Sequence, residues 1–118
     1  MQPPENHETT VDVDPLLRRA LVIKDLYDEL NQLERGRTWT NEEFMLGFVG
    51  DVGDLAKLVM AQEGAREIPG GRQALGHELA DCLWSILILA DAYAINLVDE
   101  FERTMDELEP SIRSAIET

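Results

Sequence analysis

The chain has 118 residues, which suits a single domain whose core would gain from oligomerisation. Its 24 acidic against 10 basic residues give a net charge of −14, and without a Lys or Arg cluster this excludes nucleic acid and anionic membranes as expected partners. The single cysteine, Cys82, lies in an apolar run, so we expect it to be a small buried hydrophobic residue. The sequence shows no signal peptide and no apolar segment long enough to span a bilayer, so we expect a cytoplasmic protein.

The first helix is predicted to follow a polar segment. Residues 1–13 are polar and contain two adjacent prolines, which predicts a disordered tail before a helical domain over residues 14–118. Asp14 as N-cap and Pro15 at the first helical position predict the start of a helix. Apolar residues then recur at alternating spacings of four and three, at Leu16, Ala20, Ile23, Tyr27 and Leu30. The helix is predicted to end near Arg35-Gly36.

The second helix is predicted from Asn41 to about Gln62, with Thr40 and Glu43 as a capping box. At about 100° per residue, its apolar arc is formed by Phe44, Phe48, Leu55, Leu58 and Val59. Asp51 falls inside this arc and Asp54 at its edge. Gly50 and Gly53 either permit close approach of another helix or ligand, or are a tolerated weakness.

After a Pro-Gly-Gly loop, the third helix is predicted from about Arg72 to Ala94, with an almost wholly apolar stretch over residues 82–90. Asn96 is a predicted N-cap for a fourth helix from Leu97 to about Leu108, which Pro110 ends or kinks, with a short continuing helix over residues 111–118 as the alternative to a stop. No strand pattern is found. We therefore expect an all-α antiparallel four-helix bundle.

Two acidic pairs carry the predicted chemistry, each with its carboxylates three residues apart and so on one helix face. They are Asp51 with Asp54, and Glu78 with Asp81. Carboxylates in apolar surroundings need a cation. The sequence has neither the Cys or His spacing of a zinc site nor the Glu-x-x-His motif of a di-iron site. Because hard oxygen ligands suit magnesium or manganese, the sequence favours a Mg²⁺ or Mn²⁺ site. The alternative is that these acids are solvated at helix edges.

A magnesium site held by carboxylates usually binds phosphate, so we expect water attack on phosphorus with one carboxylate as general base. At these residues the sequence resembles the MazG-type all-α nucleoside triphosphate pyrophosphohydrolases, including the dCTP- and dUTP-hydrolysing members. The family's Glu-x-x-Glu is matched by Asp51 and Asp54, and its Glu-x-x-Asp by Glu78 and Asp81. The resemblance spans residues 37–106.

This resemblance implies that all four acids are Mg²⁺ ligands. It further implies cleavage of a nucleotide into monophosphate and pyrophosphate, removal of non-standard or surplus nucleotides, and a homodimer or homotetramer. Trp39 resembles a family tryptophan that stacks on a base, although packing at a helix start is an equal alternative. Trp84 is expected in the core.

The sequence also departs from the family. Aspartate reaches about 1.5 Å less far than glutamate, and Thr104 and Leu108 stand where the family has a phosphate-binding lysine and asparagine. Arg103 and Lys57 are candidate replacements, with ordinary surface or ion-pair roles as the alternative. These departures keep two other functions open: a diverged binder of metal or nucleotide with little catalysis, and a plain helical dimerisation module.

Overall fold

The computed structural model describes residues 13–118, which form four α-helices and, within that range, no β-strand. The helices are α1 (Asp14–Arg35), α2 (Asn41–Gln62), α3 (Gly71–Ala92) and α4 (Leu97–Glu117). The all-α, four-helix prediction is confirmed. The predicted disordered tail lies, except for Val13, outside the described residues.

Local hydrogen bonds explain where the middle and last helices begin. The Glu43 N–H donates to Thr40 Oγ1 at 3.1 Å and the Thr40 N–H donates to Glu43 Oε1 at 3.0 Å, so the predicted capping box of α2 is present. The Asp99 N–H donates to Asn96 Oδ1 at 3.1 Å, which confirms the predicted N-cap of α4.

Three predicted helix ends are wrong. The N-cap of α1 is Val13 rather than Asp14, because the Val13 carbonyl already accepts the first helical bond, from the Leu17 N–H at 2.7 Å. Helix α3 ends at Ala92 instead of Ala94, since Ala94 has a left-handed φ of +55°. Helix α4 continues through Pro110 to Glu117, because a proline removes one backbone donor without preventing helix on either side.

The core lies where α1 and α2 both contact α3. Its buried members are Ala20 from α1, Phe44 from α2, and Leu87 and Ile88 from α3. Burial of each large apolar side chain of this kind contributes about 1.5–3 kcal/mol. The indole N–H of Trp84 donates to the Ala20 carbonyl at 3.1 Å and so ties α3 to α1.

Helices α2 and α3 make by far the most extensive contact between two elements, and α1 packs on α3. Helix α4 is different: it leaves α3 at an angle of 104° and none of its residues is buried. Within residues 13–118, no single helix has both the length and the apolar character needed to cross a membrane.

Two minor predictions concern α2 and α3. Cys82 is buried, as expected for a small hydrophobic residue. A Cβ added to Gly50 or Gly53 would meet no atom within 4 Å, so neither glycine serves a close approach within the described part of one chain.

Candidate metal centre

The packing of α2 on α3 brings the two acidic pairs together. One carboxylate oxygen from each of Asp51, Asp54 and Glu78 lies within 4.8 Å of the others. Glu78 also belongs to a second group, in which an oxygen of Glu78, an oxygen of Asp81 and a nitrogen of His77 lie within 4.8 Å of one another. All four acids singled out in the sequence therefore belong to one continuous cluster.

Helical spacing and partial burial place these carboxylates. Each pair is three residues apart, so both members lie on the same face of their helix. Asp51, Glu78 and Asp81 are half-buried, whereas Asp54 is exposed. The cluster therefore lies at the rim of the α2–α3 interface, with one side open to solvent and to a ligand.

The local electrostatics oppose charge on two of the acids. The pKa of Glu78 is raised from its ordinary value, first by burial and then by the negative charges of Asp51, Asp81 and Asp54, while His77 acts in the opposite direction. The pKa of Asp51 is raised by burial and by its acidic neighbours Asp81 and Asp54. A divalent cation would relieve this repulsion and stabilise the ionised carboxylates.

One atom of the cluster is unsatisfied. Glu78 Oε2 is enclosed and has no hydrogen-bond partner among the described residues. A buried carboxylate oxygen without a donor is costly, and metal coordination is one way to satisfy it. Because several carboxylate oxygens converge at this point, the residues fit a hard cation such as Mg²⁺.

His77 lies beside these acids on α3. Its Nε2 lies 3.1 Å from Asp81 Oδ2, one helical turn away, and its side chain is 72% exposed. The structure places it at the surface and in contact with the cluster.

An open cavity of about 530 Å³ adjoins the acids. Asp51 and Asp81 lie in its wall, and four aromatic rings form much of the rest: Tyr27, Trp39, Phe44 and Trp84. Trp39 stacks on Tyr27 with ring centroids 5.8 Å apart and an interplanar angle of 19°. A flat apolar ligand group next to an anionic, metal-binding group would suit this cavity.

Trp39 packs against the core, as one of its two predicted roles requires, and it also lines the cavity; its stacking on a base stays a prediction. Trp84 likewise contacts the core, as expected, and its fixed indole forms part of the cavity wall. Each of these tryptophans contacts Phe44 edge-on or tilted, with centroids 5.5 and 5.8 Å apart. The aromatic wall is therefore continuous with the hydrophobic core.

The predicted basic replacements are not brought into the cavity. Lys57 is exposed on α2, one turn after Asp54, and Arg103 forms an ion pair with Glu100 on α4. The Thr104 hydroxyl donates to the Glu100 carbonyl at 2.8 Å, and Leu108 is exposed. Among the described residues that line the cavity, none is Lys or Arg.

Two cavity residues were assigned other roles from the sequence. Tyr27 was placed in the packing seam of α1, and Glu43 only in the capping box. Glu43 also accepts two hydrogen bonds from the Arg37 guanidinium, at 2.7 and 2.9 Å, and these lower the pKa of Glu43 to about 2. The local sequence already accounts for Tyr27 by packing and for Glu43 by capping. Only the approach of three helices in the structure identifies them as cavity residues.

In comparisons with protein-family models, with curated proteins and with solved structures, nothing matches the chain. The resemblance to the MazG-type enzymes therefore rests on the acidic motifs themselves.

Proposed function

We propose that this protein is a Mg²⁺-dependent nucleoside triphosphate pyrophosphohydrolase, which converts a (deoxy)nucleoside triphosphate to the monophosphate and pyrophosphate. The observation that carries the proposal is the convergence of Asp51, Asp54 and Glu78 within 4.8 Å, beside an aromatic cavity. An acidic chain can bind a polyanionic substrate when a divalent cation reverses the local sign of charge.

The residue roles follow from the arrangement. Asp51, Asp54, Glu78 and Asp81 would hold the cation, with Mn²⁺ as a substitute for Mg²⁺. A bound cation of this type neutralises phosphate oxygens and lowers the pKa of a water molecule. One of the four carboxylates accepts the proton of the attacking water, so that a P–O bond forms to water as the bond to the pyrophosphate leaving group breaks.

The aromatic cavity supplies a place for the nucleoside. Tyr27 and Trp39 line the cavity, and every nucleobase has a π face that can stack on an aromatic ring. The proximity of Asp51 and Asp81 to the same cavity would direct the phosphates of a bound nucleotide towards the cation. Stacking alone selects no particular base, so specificity depends on polar contacts at the rim.

A second candidate is a diverged protein that binds metal or nucleotide with little turnover. The absence of Lys and Arg from the described cavity lining favours it, because phosphoryl chemistry gains from cations placed at the phosphates. A plain helical dimerisation module remains the third alternative. In that case the carboxylates would be solvated and metal would not change stability.

In the cell, the proposed activity fits a cytoplasmic house-cleaning role, the removal of non-standard or surplus nucleotides. We propose a homodimer or homotetramer as the working form. Neither nucleic acid nor membrane is proposed as a partner, because the net charge of −14 repels both.

The test is a panel of standard and modified triphosphates with Mg²⁺, scored for monophosphate and pyrophosphate. We expect pyrophosphate release from at least one triphosphate, and its loss in Glu78→Gln. Asp25→Asn, which removes an exposed carboxylate from α1, is the matched control and should retain activity. A Mg²⁺-dependent rise in melting temperature without product would support the binder instead. Wild-type rates in Glu78→Gln would exclude the proposed enzyme.

A further inference from the structure

The feature that the proposed function leaves unexplained is α4. This helix has 21 residues, none of them buried. Its large apolar side chains recur every three or four residues and so fall within an arc of about 100°. We call this arc the α4 stripe; it consists of Leu97, Val98, Phe101, Met105, Leu108, Ile112 and Ile116.

The α4 stripe is exposed over most of its length. Phe101 is 62% exposed, Ile112 54% and Ile116 78%. The radius of gyration is 18.5 Å, whereas about 13 Å is expected for a compact domain of this size. An extended helix with a continuous apolar face is not a stable end state in water, and an interaction partner is the usual explanation.

Residues 93–96 connect α3 to α4. The Ile95 N–H donates to the Ala90 carbonyl at 2.8 Å and the Ala94 N–H to the Asp91 carbonyl at 3.0 Å at the end of α3, and the Asn96 side chain caps the start of α4. The two helices differ in direction by 104°. In this orientation most of the α4 stripe is not covered by the described residues of its own subunit, which favours a partner from another molecule.

A matching apolar surface exists elsewhere on the chain. A groove of about 240 Å³ runs between α1 and α3, and we call it the α1–α3 groove. Leu16 and Leu83, which line it, are 50% and 41% exposed. The other members are Arg19, Ala20, Ile23, Ala80, Trp84 and Leu87.

The charge of α4 favours the α1–α3 groove over the other surfaces to which α4 could bind. Helix α4 carries seven acidic side chains and two arginines, a net charge of −5. Two α4 helices side by side would repel each other, and an anionic membrane would repel α4. Residues 15–24 of α1 contain three basic residues and no acidic one, and Arg19 lies in the groove itself.

The area of the α4 stripe can be compared with that of known interfaces. A helix of 21 residues is about 32 Å long, and a face about 10 Å wide gives roughly 320 Å² for one arm. If the whole stripe of two reciprocal arms were covered, both surfaces of each contact together would bury about 1,300 Å², within the range of stable interfaces. The groove is lined by residues 16–23 and 80–87 only, so the rest of the stripe would pack on the surface beside it.

We propose that α4 is an exchanged arm, whose stripe packs in the α1–α3 groove of a second copy of this chain while the second copy's arm packs in the first. The inference specifies which surfaces form the homo-oligomer. It rests on α4 and the groove alone and does not depend on the proposed catalysis.

The first test is the mass in solution, measured without nucleotide by light scattering coupled to size exclusion. We expect the wild-type chain to be a dimer or a multiple of it. Ile112→Asp, which places a charge in the α4 stripe, should raise the dimer dissociation constant at least about tenfold. Ser114→Asp places the same charge on the opposite face of α4 and should leave the mass unchanged. A monomeric wild-type chain, or an unchanged dissociation constant for Ile112→Asp when the mass is followed over a dilution series, would overturn the proposal.

The second test does not depend on a destabilising substitution. A photo-crosslinking amino acid at Phe101, in a mixture of ¹⁵N-labelled and unlabelled chains, should yield crosslinks between differently labelled copies at groove residues such as Leu16 and Leu83. Crosslinks confined to one copy, or between two α4 helices, would contradict arm exchange. Capture of α4 by anionic vesicles in co-sedimentation, with no crosslinks between copies, would do so too.

Discussion

Asp51 on α2 and Glu78 on α3 present carboxylate oxygens within 4.8 Å of each other, and the negative charge of Asp51 adds to burial in raising the pKa of Glu78. Such a pair in a half-buried position is unfavourable unless a proton or a cation is shared between the two groups. A divalent metal ion is the cation that this arrangement favours, and the aromatic cavity lies beside it.

Metal binding should depend on the buried carboxylate. Mg²⁺ at one hundred times its dissociation constant is expected to stabilise the wild-type protein by about 2.7 kcal/mol. In Glu78→Gln the Mg²⁺-induced rise in melting temperature should be largely lost, because the amide supplies no charge to the cation. Asp25→Asn should keep the wild-type response. An equal response in all three proteins would show that the cluster is not the metal site.

The stability of the metal-free protein should vary with pH through the same residues. Because the pKa of Glu78 and of Asp51 is raised in the folded state, their contribution is fully present below their unfolded pKa values and is lost as the pH rises through the folded values. As the pH rises above the unfolded pKa values of these acids, the free energy of unfolding should therefore fall less in Glu78→Gln than in the wild type. Thermal unfolding in a chelator, compared over this rise in pH, gives the difference. Parallel curves would contradict the raised pKa.

Trp39 should contribute to nucleotide affinity through its ring face. Base stacking on an aromatic side chain is worth about 1–3 kcal/mol, so Trp39→Ala should weaken nucleotide binding about five- to 150-fold. Trp39→Phe keeps a ring against Tyr27 and should retain much of the affinity. Calorimetry with a non-hydrolysable triphosphate measures both variants. If Trp39→Ala and Trp39→Phe both bind the nucleotide as tightly as the wild type, Trp39 serves packing alone.

The capping box of α2 should stabilise the fold that holds the site. Thr40→Ala removes the acceptor of the Glu43 N–H bond and should cost about 1 kcal/mol, a decrease of roughly 4–8 °C in melting temperature. Thr38→Ala, two residues earlier in the connecting segment, should have a much smaller effect. Comparable losses in the two variants would argue against a specific cap.

Much of the fold is readable from local patterns. The spacing of apolar residues in α1, the Thr40–Glu43 box and the Asn96 cap each depend on neighbours within one or two turns, and the structure contains all four helices. The helix ends were less accurate, because backbone details such as the left-handed φ of Ala94 do not follow from residue type.

The sequence by itself determined that two acidic pairs lie on helix faces among apolar residues, since that follows from a spacing of three on a helix. Only the tertiary structure decided that the pairs meet, because their approach depends on the packing of α2 on α3. The same holds for Tyr27 and Glu43, which reach the cavity only when three helices assemble. It holds for α4 as well, because its apolar residues follow a helical spacing in the sequence, whereas its 104° angle to α3 is seen only in the structure. Periodicity is local, whereas contacts between helices require the chain to close on itself.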